Sequence, residues 1–299
     1  MRVGTVFSQA DSGTDARAIR KWAIDAEAAG FHHLMAYDHV LGASAERLGP
    51  GPFGAFPSAP YTHEHQFHDI LVLFSHLAAV TTTIEFVTSV LVLPQRQTAV
   101  AAKQIATLDL LSEHRLRLAV GVGWNWAEYE ALGADFEHRL TMLGEQVEVM
   151  RRLWSEPLVE FDGRFHHLHG VGMNPLPSRQ IPVFLGTGAA DKTLERVVRT
   201  ADGWMPLLIA GIDQVSVSDG IVRVRRKCEE LGRDPASLPI HGRVYLIDGW
   251  EAELERLVGL GVDVCSVGFH RMAFPGRSHD EHLRTVIEAK PRIDAIVGA

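Results

Sequence analysis

Residues 84–121 read IEFVTSVLVLPQRQTAVAAKQIATLDLLSEHRLRLAVG. An apolar, β-branched run at 84–93 gives way to a helical stretch at 99–111, and a second apolar run follows at 116–121. Continuous apolar strands joined by a helix-length connection mark parallel strands buried on both faces. Working outward, the alternation repeats. Before this stretch come strand 3–7, helix 15–29 stopped by Gly30, strand 33–37 and helix 69–80. After it come helix 139–154, strand 183–186, helix 192–199, strand 204–209, helix 213–231 closed by Gly232, strand 243–247, helix 251–260, strand 262–269 and helix 280–289. Eight strand-helix units predict a closed (β/α)8 TIM barrel, one α/β domain spanning 1–299. The alternative, an open doubly wound sheet, often carries a glycine fingerprint after its first strand, and Ser8-Gln9-Ala10-Asp11-Ser12-Gly13 lacks one. Two segments interrupt the rhythm, about 41–68 and about 157–180, and are expected to be unstructured insertion loops over the C-terminal face of the strands.

With 299 residues, 46% hydrophobic and 22% charged, the chain is ordinary for a globular protein with a sizeable core. The net charge of -8 argues against nucleic acid or an anionic membrane as partner and leaves a small molecule as the expected ligand. Cys228 and Cys265 are the two thiols, and Met1-Arg2-Val3-Gly4 opens no signal-peptide core, so a cytoplasmic setting is expected. Apolar runs such as 87–93 fall far short of the roughly 20 residues that span a bilayer.

In a barrel the chemistry sits where strand C-termini meet loops, which singles out Asp38 and His39. Their reading stays open between a turn cap beside a satisfied polar residue and a carboxylate that fixes an imidazole's tautomer for acid–base work. Gly121-Val122-Gly123-Trp124-Asn125-Trp126 is either a tight turn with packing aromatics or a place where a flat ligand approaches the backbone between tryptophans. Gly186-Thr187-Gly188-Ala189, leading into a helix, offers backbone amides to a phosphate, a weak signal alone. His63-x-His65-x-x-His68 and His166-His167-x-His169 invite a metal, yet both lie in the interrupting segments without a completing carboxylate cluster, so no metal is expected. With neither a Gly-x-Ser-x-Gly elbow nor a Cys-His pair, the inventory suits an enzyme whose chemistry comes from a bound cofactor.

Taken in order, Tyr37-Asp38-His39-Val40, the run from Val87 to Arg96, Ala102-Lys103-Gln104, Leu108-Asp109-Leu110-Leu111-Ser112, Arg115-Leu116-Arg117-Leu118, Gly121-Val122-Gly123-Trp124-Asn125, Glu128-Tyr129-Glu130-Ala131-Leu132-Gly133, Asp162-Gly163-Arg164-Phe165 and Ala201-Asp202-Gly203-Trp204 resemble the bacterial luciferase-like superfamily of flavin and deazaflavin oxidoreductases. The resemblance covers nearly the whole chain. It implies a TIM barrel holding a tricyclic ring at the strand C-termini, most like the branch using coenzyme F420, with FMN and oxygen as the alternative. It further implies that His39 manages protons beside the ring with Asp38 supporting ring and imidazole, that the strand-three bulge maps onto Ser89-Val90 with a non-proline cis peptide there, and that Asp38, Thr88, Ser89, Val90, Gly121, Gly123 and Asn125 contact the cofactor. By the same resemblance Gly186, Thr187, Gly188 and Ala189 hold the cofactor phosphate, and a homodimer is plausible. The superfamily's sugar-phosphate dehydrogenases carry a tryptophan shortly after the Asp-His pair and a glutamate after strand four. Here those places read Leu41-Gly42-Ala43-Ser44 and Trp124-Asn125-Trp126. A fairly apolar substrate is therefore expected, in a pocket of Trp124, Trp126, Phe56 and Tyr61, with Phe53 nearby.

Overall fold

A computed structural model describes residues 1–49, 59–207, 216–269 and 278–298. In chain order these form β1 (Arg2–Val6), α1 (Ala16–Ala28), β2 (His33–Ala36), α2 (Ala45–Leu48), α3 (Ile70–Ala78), β3 (Glu85–Thr88) and β4 (Leu91–Val92). There follow α4 (Thr98–Leu111), β5 (Leu116–Gly121), α5 (Trp126–Ala131), α6 (Arg139–Ser155), β6 (Val159–Asp162) and β7 (His167–Val171). The remainder is β8 (Val183–Thr187), α7 (Asp191–Thr200), β9 (Gly203–Pro206), α8 (Val217–Glu230), β10 (His241–Tyr245), α9 (Trp250–Gly259), β11 (Val264–Gly268) and α10 (His279–Val297).

Eight strands lie parallel in the order β10-β11-β1-β2-β3-β5-β8-β9. The ring closes where Trp204 of β9 bridges Ile240, just before β10, and its N–H donates to the Pro239 carbonyl at 3.0 Å. β4 resumes the third barrel strand beyond Ser89–Val90, pairing Leu91 with Val120 and Val92 with Gly121. That peptide is cis, as the resemblance implies, and so is Asn174–Pro175. Local signals set the helices: Asp15 caps α1 through the Arg17 N–H at 2.8 Å, and α1 turns Ile19, Trp22, Ala23 and Ala26 to the strands before Gly30, at φ +78°, ends it.

Side chains that alternate outward from the strands join the helices in one main core, while Val6, Met35, Val87, Val90, Ala119, Phe184 and Met205 point inward and fill the barrel. Two glycines are dictated by this filling. A Cβ on Gly186 would stand 2.2 Å from Val90 Cγ1, and one on Gly121 2.4 Å from Val90 Cγ2. Val90 therefore occupies space that both positions leave free.

Beneath that apolar layer the interior turns polar. His33 and His241 both place Nε2 on the Ser266 hydroxyl, at 2.7 and 2.8 Å, and Gly4 has no side chain because the His33 ring fills its place. Burial, followed by nearby cations and imidazoles, pushes both rings well below the usual histidine value, so they are neutral at pH 7. At the base Arg117 pairs with Glu85 at 2.9 Å.

Several expectations need adjustment. The segment at 157–180 is no unstructured loop: β6 and β7 form an antiparallel hairpin around Asp162-Gly163. Its turn is held by Glu145 of α6, which accepts the N–H groups of Arg164, Phe165 and His166 at 2.9, 2.8 and 2.7 Å. The short α2 and α5 were not expected. α10 runs through Pro291 to Val297 rather than ending at 289, since Ile293 still packs into the core. The far end of the strand expected at 204–209 and the start of the helix at 213–231 lie outside the described residues. Among the described residues no helix is long and apolar enough to cross a membrane.

Replacing Gly186 with alanine is expected to lower stability by about 1–3 kcal/mol through overpacking on Val90. Urea denaturation of Gly186→Ala with and without Val90→Ala tests this, because the second change should restore part of the loss. Because the folded state refuses protons on His33 and His241, stability is expected to hold above pH 6.5 and to fall below it, by about 1.4 kcal/mol per pH unit for each imidazole. Denaturation at pH 7, 6 and 5 should show a shallower decline in His241→Gln; an equal slope would remove the effect from this pair.

Candidate active site

β2 ends at Ala36, and Tyr37-Asp38-His39 carries the chain over the C-terminal rim. Successive side chains on an extended backbone diverge, and the two neighbours part here. The Asp38 carboxylate, 2% exposed, accepts the Val92 N–H at 2.9 Å and Arg96 Nη2 at 2.8 Å. Burial pushes this carboxyl up, against the pull of Arg96 and the Val92 amide. Asp38 thus fastens the end of β2 to β4, and the carboxylate facing the imidazole is a different one.

That carboxylate is Glu128 on α5, whose Oε2 lies 3.8 Å from His39 Nδ1, an ion-pair separation at which the buried Nδ1 makes no hydrogen bond. Asn125 caps α5, its Oδ1 accepting the Glu128 N–H at 3.2 Å, which turns Glu128 back toward the barrel. There Glu128 accepts the N–H groups of Val40 and Leu41, the latter at 2.9 Å, and the Tyr61 hydroxyl and Gln95 amide, each at 3.2 Å. Burial alone would raise its carboxyl, but His39 and these donors hold it below the usual carboxylate range.

The His39 ring lies 3.9 Å from Tyr61, tilted by 35°, with the Phe67 ring edge-on at 4.8 Å. Its side chain is 17% exposed although Nδ1 is buried, so the accessible part of the residue lies away from Glu128. A carboxylate beside Nδ1 favours the proton on that nitrogen and leaves Nε2 to accept or return one.

The other expected site residues divide. Ser89 sits beside the end of β2, its N–H donating to the Ala36 carbonyl at 2.8 Å, and its buried hydroxyl has no partner. Thr88 is occupied: its hydroxyl donates to the Ala119 carbonyl at 2.6 Å and accepts the Ala119 N–H at 2.8 Å, stitching β3 to β5. The room beside Gly121 and Gly186 is filled by Val90, and Gly123, at φ +63°, abuts Val92. Asn125 donates to the Tyr61 hydroxyl at 2.7 Å. In the turn before α7, the Thr187 hydroxyl accepts Trp204 Nε1–H at 3.1 Å and Ala189 is buried, with Gly188 between them; no side chain caps the helix.

Of the expected aromatic pocket, Tyr61 is 3% exposed and backs the His39 ring instead of lining an open wall, while Trp124 packs edge-on to it at 5.4 Å. Trp126 faces outward on α5, 38% exposed beneath the Arg47 guanidinium. Phe53 and Phe56 lie outside the described residues. Among those residues no group of His, Cys, Asp and Glu is arranged to hold a metal; His166, for example, pairs with Glu145 at 2.7 Å. A cleft of about 430 Å3 beside α4 and α6 is lined by Arg96, Gln146 and His166, and His39 is not among its lining residues.

Glu128 is the residue that sequence reasoning missed, although it belongs to one of the stretches quoted for the resemblance. The available signal was its place three residues after Asn125, where a capping asparagine turns a carboxylate at the helix's third position back over the strand end.

A closed parallel barrel with an imidazole at its C-terminal rim, backed by a buried carboxylate, defines an α/β-barrel enzyme. The luciferase-like monooxygenase family profile matches residues 1–285. An uncharacterized protein of Mycobacterium tuberculosis is 34% identical over 291 residues, covering 94% of each chain. The FMNH2-dependent dimethylsulfone monooxygenase of Pseudomonas fluorescens is 28% identical over 211 residues, 67% of this chain and 50% of that one. In fold, an F420-dependent secondary alcohol dehydrogenase solved with an F420-acetone adduct superposes over 99% of this chain and 98% of its own, with a TM-score of 0.76 at 17% identity. The chain belongs to the luciferase-like monooxygenase family.

Glu128→Gln is expected to cost about 1–3 kcal/mol, because a charged acceptor of four buried donors becomes a neutral amide that satisfies fewer of them. Urea denaturation measures the loss. Hydrogen exchange should localise it to the amides of Val40 and Leu41, and unchanged protection there would show that Glu128 does not hold this corner.

Proposed function

We propose that the protein is an F420-dependent oxidoreductase that moves a hydride between the deazaflavin and a largely apolar small molecule. The observation carrying this reading is the His39 imidazole at the strand end, its Nδ1 turned to a buried carboxylate and the rest of the ring reaching accessible space. The residues present suit a planar heterocycle, since the orphaned Ser89 hydroxyl and His39 stand at the same strand ends. When bound, the deazaflavin supplies two-electron hydride chemistry.

The chain's own groups handle the proton. Glu128 holds the imidazole with Nδ1–H inward, so that Nε2 delivers or removes a proton at the substrate. Tyr61 and Phe67 enclose the ring and keep water from its inner face. The lack of a side-chain cap at the start of α7 supports a phosphate held by the backbone of Gly186, Thr187, Gly188 and Ala189 and the first turn of that helix. The full-length likeness to a barrel named as F420-dependent supports this choice. FMN with oxygen is the second reading, favoured by the relative named as FMNH2-dependent.

Titration with oxidised and reduced F420 and with FMN, followed by absorbance and fluorescence, decides between them. Saturable binding of F420 well ahead of FMN is expected, and tight FMN binding with no F420 response would reverse the assignment. His39→Ala should bind F420 within about threefold of wild type, yet lose roughly 100-fold or more in turnover once a substrate screen supplies one. Undiminished turnover would remove His39 from the chemistry.

A further inference from the structure

Arg243 stands on β10 between His241 and Tyr245, and since His241 points into the barrel, so does Arg243. Its guanidinium reaches the C-terminal end: it lies 5.3 Å from the Tyr245 ring and within electrostatic reach of the Tyr37 hydroxyl, and both tyrosines stand at strand ends. Below it lies the apolar filling on which Tyr37 and Leu207 pack. Although set inside the barrel, Arg243, Tyr37 and Tyr245 each keep partial accessibility, as befits positions toward the C-terminal mouth of the barrel.

Among the described residues this cation has no carboxylate in ion-pair contact, unlike the other interior arginines. The groups that act on it most strongly are the two phenols, followed by Cys265. The contrast with the other interior arginines is direct: Arg117 has Glu85 at 2.9 Å and Arg96 has Asp38 at 2.8 Å. The buried Tyr37 hydroxyl faces both Arg243 and Tyr245 and is in good hydrogen-bond geometry with neither, which leaves it able to turn to a ligand. A guanidinium partly withdrawn from water and without a carboxylate gains from an anion that completes it, and its planar fork matches a carboxylate through two parallel N–H donors.

We propose that Arg243, assisted by the Tyr37 hydroxyl, is the receptor for a carboxylate on the substrate, which makes the substrate an apolar molecule bearing one acidic group. This rests on the oxidoreductase reading and names the substrate class for the same barrel mouth. It refines the expectation of a fairly apolar ligand: apolar contact with the walls is retained, and one charge at the floor fixes orientation. The cofactor's own anionic tail is a rival source of that charge, and the test separates the two.

Benzoate and its neutral isostere benzamide are titrated calorimetrically into wild type, Arg243→Gln and Arg243→Lys, with F420 titrated in parallel. Benzoate is expected to bind wild type at least tenfold more tightly than benzamide. Arg243→Gln should reduce benzoate to the benzamide level while F420 affinity stays within threefold, and Arg243→Lys, keeping charge without the fork, should fall between. Should Arg243→Gln fail to fold, Tyr37→Phe serves instead, weakening benzoate three- to tenfold and leaving benzamide unchanged. Equal binding of the two probes, no binding of either, or full benzoate affinity in Arg243→Gln overturns the proposal. Loss of F420 affinity in step with benzoate also overturns it by assigning the charge to the cofactor. If wild type discriminates benzoate through Arg243 but binds neither F420 nor FMN, the redox reading falls and the carboxylate receptor stands.

Discussion

A single buried carboxylate organises the rim of this barrel. Among the described residues Glu128 has no arginine or lysine paired with it; instead two backbone N–H groups, a phenol, a primary amide and an imidazole converge on its two oxygens. Dispersed donors of this kind stabilise a buried charge without confining it to one partner. The arrangement ties four segments together: the start of α5, the chain leaving β2, Tyr61, and Gln95 just past β4. His39 is placed by its surroundings as much as by its own backbone.

A second constraint is volumetric. Val90, carried into the interior at the break between β3 and β4, wedges against Gly121 of β5 and Gly186 of β8. The third, fourth and fifth barrel strands are thereby keyed to one another at the level where the apolar filling meets the polar mouth. The same glycines could be taken from sequence for ligand contacts. Packing explains them without a ligand, while the orphaned Ser89 hydroxyl and the accessible part of His39 remain without a packing explanation.

The barrel was legible because parallel strands buried on both faces leave long β-branched runs, and all eight were found in their places. The β6–β7 hairpin was not, since its strands carry His167, His169, Glu160 and Asp162 and are largely exposed, which erases the apolar alternation that marks a strand. Within the site, the strand-end position singles out His39, while the carboxylate nearest its Nδ1 is Glu128 and the adjacent Asp38 bonds Val92 and Arg96. Adjacency in sequence is a poor guide to contact in an extended segment, where neighbours point apart. Glu128, 89 positions from His39, is brought to it by a helix cap, and neither periodicity nor composition encodes such a contact.

At the opposite end of the barrel, the shared hydroxyl of Ser266 imposes a rule of a different kind. A serine has one hydrogen to give and two lone pairs to receive, so the two imidazoles meeting it cannot both be acceptors. At least one of His33 and His241 must be the Nε2–H tautomer, and if the hydroxyl donates to the other, that ring carries its hydrogen on Nδ1. The floor of this molecule therefore fixes the whereabouts of individual hydrogens as well as the shapes that interlock around them.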